Sequence, residues 1–158
     1  MAKVTYTPLT TQVIPTDTTT VTLTNISGYS DLFISASIQG SSGSAVMGLR
    51  LNGDEGSNYS TTYMYNTSST VPSGKESGLN AMSGGDIPAS GNVWGINLYH
   101  LINYSSASNY KNVLMRHNAG TGVVVESIGL WRNISPVTSV TLFANIKAGT
   151  TITVYGMI

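Results

Sequence analysis

Carboxylates, imidazoles and hydroxyls are the groups through which this chain could do chemistry, because it contains no cysteine. Its one adjacent acidic pair, Asp54-Glu55, lies in "LRLNGDEGSNYSTTYMY", residues 49 to 65. Two carboxylates among asparagines and glycines make an oxygen-rich loop, and calcium takes about six to eight oxygen ligands. An EF-hand frame needs Gly at its sixth place and Glu at its twelfth. Counted from Asn52 those places hold Ser57 and Tyr63, and counted from Asp54 they hold Tyr59 and Tyr65, so the frame fails. Asn52-Gly53 is instead the favoured pair for a tight turn with positive φ at both central positions. The expected element is a hairpin turn built from Asn52, Gly53, Asp54, Gly56, Asn58 and Tyr59, with Asp54 and Glu55 at a solvated tip. An adventitious cation on Asp54 and Glu55 is the lesser alternative.

The other reactive groups are dispersed. Glycoside hydrolysis needs two carboxyls about 5–9.5 Å apart across a cleft. Asp17, Asp31, Glu76 and Asp86 fall in turns or at strand ends of the pattern described below. Glu126 alone sits inside an apolar run, where an ion pair with Arg116 or Arg132 across a sheet is the expected role. His100 alternates with Trp94, Ile96, Leu98 and Ile102, so it shares the more apolar face of its strand and reads as a core or interface histidine. His117 lies on a different strand. Two histidines without cysteine leave a zinc site dependent on scattered acids. No G-x-S-x-G elbow is present, and "SGGDIPASG" has no helix behind it to complete a phosphate cradle. No catalytic residue, metal or cofactor is expected.

These groups are carried by a period-two pattern. "TTTVTLT" (18–24), "DLFISASIQ" (31–39), "AVMGLRL" (45–51) and "NYSTTYMY" (58–65) alternate apolar and polar residues. "VWGINLYHLINY" (93–104), "YKNVLMRHN" (110–118), "GVVVESIGLWRN" (122–133), "SVTLFANI" (139–146) and "TITVYGM" (151–157) continue the series. Gly-, Ser- and Asn-rich turns separate them. About nine or ten short strands without a helical period imply an all-β fold, an antiparallel jelly-roll-like β-sandwich over residues 1–158 as one domain. Segment 66–91 is the least regular and carries one short edge strand at most. Residues 1–17 read equally as an arm reaching a neighbour or as an edge strand.

Composition limits the partners. Charged residues make up 9% of the chain, against roughly 25% in ordinary soluble domains. Seven basic and seven acidic residues give a net charge of zero. They do not cluster, so neither nucleic acid nor an anionic membrane surface is an expected partner. Few charges also leave little to keep molecules apart, which favours association. The start lacks the apolar core of a signal peptide, so synthesis in a cytoplasm is expected and the N-x-S/T sequons are read as accidents of composition. Tyrosines and tryptophans divide between strand filler, subunit contacts and glycan contacts. Tyr63, Tyr65, Trp94, Tyr99 and Trp131 are the candidate interface aromatics.

The segment "GLRLNGDEGSNYSTTYMY" resembles an L-R-F-N-G-D-x-G-x-N-Y-S motif of small virion proteins of tailed bacteriophages, notably phages of cyanobacteria and marine bacteria. Asn52, Gly53, Asp54, Gly56, Asn58, Tyr59 and Ser60 match it. The ending "AGTTITVYGMI" is similar to that family's closing strand through Gly149, Thr150, Tyr155 and Gly156. Leu51 stands where Phe is usual, and Met157 is inserted before Ile158. The likeness runs from about residue 18 to the end. It implies a jelly-roll sandwich without enzymatic activity, often trimeric, decorating capsids or forming distal parts of fibres. The expected function is capsid decoration or cement: a homotrimer on the outer head surface, bound to the major capsid protein. A fibre head that binds a receptor or host glycan, or contacts other virion proteins, is the alternative.

Overall fold

The computed structural model describes residues 5–43, 45–66, 69–89, 91, 93–118 and 122–158. Among them are twelve strands and no helix. In chain order the strands are β1 (Tyr6–Val13), β2 (Thr18–Leu23), β3 (Asp31–Ile38), β4 (Ala45–Leu51), β5 (Tyr59–Tyr65) and β6 (Ser73–Leu79). There follow β7 (Met82–Ile87), β8 (Gly95–Ile102), β9 (Lys111–Asn118), β10 (Val124–Trp131), β11 (Val140–Ile146) and β12 (Thr151–Met157). They form an eight-stranded antiparallel sheet, β1-β12-β3-β8-β9-β10-β5-β6, and a four-stranded one, β2-β11-β4-β7. The result is the expected antiparallel, jelly-roll-like β-sandwich.

Alternation explains the layering. On β3, Leu32, Ile34, Ala36 and Ile38 are fully buried, while the residues between them face outward and are half-buried. Ile152 and Val154 of β12 and Val113 and Met115 of β9 extend the same inner face. Met47, Leu49, Leu51, Val140 and Leu142 meet them from the small sheet. At roughly 1.5–3 kcal/mol for each fully buried large aliphatic side chain, this core is the main force holding the two sheets together.

Of the segment 1–17, Tyr6–Val13 form an edge strand, and residues 1–4 lie outside the described residues. β1 pairs antiparallel with β12 from Tyr6↔Met157 to Val13↔Thr151, with a bulge at Pro8–Thr10. Proline cannot donate to a ladder, and bulges blunt exposed edges against further pairing.

Segment 66–91 departs from expectation by holding two strands, β6 and β7. Glycine hides β7 from a propensity reading, yet packing requires it there. A Cβ on Gly84 would stand 2.9 Å from the Met47 carbonyl oxygen. One on Gly85, whose φ is +93°, would fall 1.9 Å from Cγ of His117. The small side of β7 lets the short sheet close against β9 and β10.

Candidate functional site

The Asp54 loop is a corner between sheets. Asn52 and Gly53 have φ of 54° and 66°, and Asp54 N donates to Leu51 O at 3.0 Å, so the expected tight turn forms. The hairpin does not, because β4 belongs to the small sheet and β5 to the large one. The chain leaves the turn and crosses over. Asp54 is half-buried, and only Glu55 is a solvated tip.

Both Asp54 carboxylate oxygens are engaged. Oδ1 accepts from Gly56 N at 2.8 Å; Oδ2 accepts from Asn58 Nδ2 at 2.9 Å and from Trp131 Nε1 at 2.7 Å. The Trp131 bond leads in holding the Asp54 carboxyl below its ordinary 3.8, with Asn58 and Gly56 adding to it against partial desolvation. The Tyr59 ring stacks on Trp131 with centroids 6.3 Å apart, and its hydroxyl accepts from Leu51 N at 3.1 Å. Desolvation raises that phenol to about 12. Asn52 Oδ1 accepts from Thr138 N and Ser139 N, and Arg132 donates to Ser57 O and Ser60 Oγ. Asn52, Asp54 and Tyr59 thus hold backbone in place directly, and Asn58 steadies the Asp54 carboxylate. Asp54 and Glu55 do not form a shared cation cage: Glu55 is drawn away to Arg50 at 2.6 Å.

The remaining acids are mostly structural. Asp17 accepts from Ala148 N, and Asp31 accepts from Asn103 N at 2.7 Å while lying 3.2 Å from His100 Nε2. Glu126 pairs with Arg116 at 2.9 Å, well exposed to solvent and so worth little in stability. No group of three or more His, Asp or Glu among the described residues could hold a metal ion.

The main departure from sequence reasoning concerns which face of β8 is buried. His100 does share a face with Ile96, Leu98 and Ile102, but that face is the outer one. Inside are Gly95, Asn97, Tyr99 and Leu101. Neighbouring strands repeat the inversion. Lys111, His117 and Ser127 point inward, whereas Leu114 and Ile128 point outward at 39% and 51% exposure. Strand register sets the outward residues in rows. Phe33 pairs with His100, His100 with Leu114 and Leu114 with Ile128. In the next row Leu98 pairs with Arg116, Arg116 with Glu126 and Glu126 with Met64. Together they line a groove of about 620 Å³ across the large sheet.

Phe33, Met64, Leu98, Leu114 and Ile128 were not among the residues singled out from sequence. The available signal was polar residues on the alternation that had to be buried, with aliphatic residues on the other. Conversely, Tyr99 and Trp131 are no interface residues: both lie in the core, Trp131 sealed against Tyr59 and Asp54 and Tyr99 donating to Gly84 O. Burial raises the Tyr99 phenol well above its ordinary value. Trp94 is exposed, while Tyr63 and Tyr65 are half-buried with ring centroids 6.3 Å apart.

No family model matches the chain, and neither does any curated protein. Among solved structures, the galectin LEC-6 of Caenorhabditis elegans is 8% identical over 94% of this chain and 95% of its own, with a TM-score of 0.39. A double mutant of the alginate lyase Aly36B, in complex with an alginate tetrasaccharide, is 10% identical over 97% of this chain and 73% of its own, with a TM-score of 0.28. Likeness at this level carries no argument about function.

Proposed function

We propose that this chain is a structural protein of a tailed-phage virion, a decoration or cement protein that sits on the outer head surface as a homotrimer. The observation that carries the proposal is the outward apolar row Phe33–His100–Leu114–Ile128, running across β3, β8, β9 and β10. Contiguous exposed apolar surface on a soluble domain marks a contact site. Leu98, Leu114, Ile128 and Met64 with the Phe33 ring give the groove a mostly apolar lining, beside Tyr63, His100 and the Arg116–Glu126 pair, and a mostly apolar surface suits another protein chain better than a sugar. That composition favours another protein chain over a glycan, and so decoration over the receptor- or glycan-binding fibre head. The engagement of Asp17, Asp31, Asp54, Glu55 and Glu126 in structural contacts supports a role without catalysis.

A protein that binds only the assembled shell shifts the equilibrium against disassembly by mass action. Purified particles test this. The proposal expects this chain in stoichiometric ratio to the major shell protein, and heads that melt higher with it than without. A few copies per particle, or equal melting, contradicts the proposal.

A further inference from the structure

A second cavity, of about 240 Å³, lies on the opposite side of the large sheet from the outer groove. The eight-stranded sheet is wider than the four-stranded one, so the inner face of β5 and β6 overhangs β7 at the end of the sandwich. Tyr63 and Tyr65 face into this overhang, joined by Glu76 from β6 and by Ser83 and Asp86 from β7. Whereas the other five acids are bonded as described above, the Glu76 and Asp86 carboxylates have no hydrogen bond or ion pair among the described residues. Both unpaired carboxylates therefore line one cleft.

Among the described residues nothing cationic compensates them. Lys75 lies on the opposite face of β6 from Glu76 by strand alternation, and Arg116 belongs to the outer rows. Arg50, from β4, is drawn to Glu55. Beneath Gly85, which lines the cleft without a side chain, lies the His117 ring, 2% exposed. Its Nε2 is 3.4 Å from Ser127 Oγ, and its Nδ1 has no partner. Burial lowers its pKa to about 4, so it adds no positive charge near neutral pH.

We propose that this cleft binds an organic cation, the ammonium or guanidinium of a single basic side chain or free amine. Two carboxylates supply charge, and Tyr63 and Tyr65 line the cleft beside them, aromatic neighbours that suit a desolvated cation. The volume lies below the roughly 300 Å³ at which pockets for drug-sized ligands begin, which suits one extended chain. Calcium is a poorer fit, since it needs about six to eight oxygens and prefers no ring face. The site lies across the sheet from the outer groove, with which it shares Tyr63 and Ser127, and it does not rest on any virion role.

Calorimetric titration of the full chain tests it. The cationic probes are Nα-acetyl-lysine methylamide and cadaverine, the neutral control is Nα-acetyl-norleucine methylamide, and calcium chloride is a separate arm. Saturable one-to-one binding of a cationic probe, none of the neutral one, and a loss of about tenfold or more in Glu76→Gln and in Asp86→Asn are expected. Melting temperature checks that each variant is folded. Tighter binding of the lysine probe identifies a partner's side chain as the source, and tighter binding of cadaverine identifies a free polyamine; either upholds the site. No saturable binding of either cation, equal binding of the neutral probe, indifference to both substitutions, or calcium as the sole ligand overturns it.

Discussion

The Trp131 indole nitrogen donates to Asp54 Oδ2 across 2.7 Å, joining the last residue of β10 to the corner between β4 and β5. Hydrogen bonds to an ionised group are worth about 1.5–3 kcal/mol net. Asp54→Ala is expected to destabilise the fold by at least that amount, because it also frees Asn58 and Gly56. Trp131→Phe, which removes the same bond and leaves a core gap, is expected to cost about as much or more. Denaturant unfolding measures both. Because the Asp54 pKa is depressed in the fold, its contribution is present above the ordinary value of 3.8 and is lost as pH falls below it. Asp54→Asn is expected to flatten the stability profile in that acid range.

His117 acts in a higher window. Its pKa falls from 6.5 to about 4 on burial, so the unfolded chain takes up a proton between those values and the folded one does not. Stability is therefore intact above 6.5 and declines as pH falls toward 4, by about 3 kcal/mol in all. Denaturation midpoints between pH 7 and about pH 4.5 are expected to show this slope. His117→Leu is expected to remove most of it.

Gly85 and His117 are fitted to one another. Gly85→Ala places a Cβ 1.9 Å from the ring at a backbone φ of +93°. A destabilisation of about 1–3 kcal/mol from overpacking is expected, with left-handed strain in addition. Thermal unfolding of Gly85→Ala beside wild type measures it, and pairing the change with His117→Ala is expected to recover part of the loss.

Lys111 is buried, and among the described residues no carboxylate pairs with it. Its ammonium donates to Asn109 O at 2.6 Å and Ile134 O at 3.1 Å, tying together the loops before β9 and after β10. Desolvation lowers its pKa. Lys111→Met keeps the apolar stem and orphans both carbonyls, for an expected cost of about 1–3 kcal/mol. The same denaturant series measures it.

Legibility in the sequence followed the physics of each element. Strands such as β3, whose alternation places Leu32, Ile34 and Ile38 on one face, could be read directly because burial selects that spacing. β7 could not, because Gly84 and Gly85 serve close approach to Met47 and His117, and propensity has no view of approach distance. The Asn52-Gly53 turn was readable as local backbone chemistry, but its joining of two sheets was not, since sheet membership is set by pairing partners far away in the chain. On β8 the face of His100 was correctly composed and assigned to the wrong side. Hydrophobicity says which residues avoid water, and both a core and a contact surface do so. Asn97, Lys111 and His117 are buried on the inner alternation through hydrogen bonds and packing that the sequence pattern does not show.

The double variant Leu114→Asp/Ile128→Asp most directly tests whether the outer face of the large sheet is the contact surface. Leu114 and Ile128 are direct cross-strand partners, so two like charges there are expected to lower the melting temperature by about 2–6 °C while leaving the chain folded, which a thermal scan checks before sedimentation. Wild type is expected to co-sediment stoichiometrically with phage heads stripped of this chain, and the double variant to remain in the supernatant. Equal co-sedimentation of the two would contradict the proposed role of the outer face as a shell-binding surface.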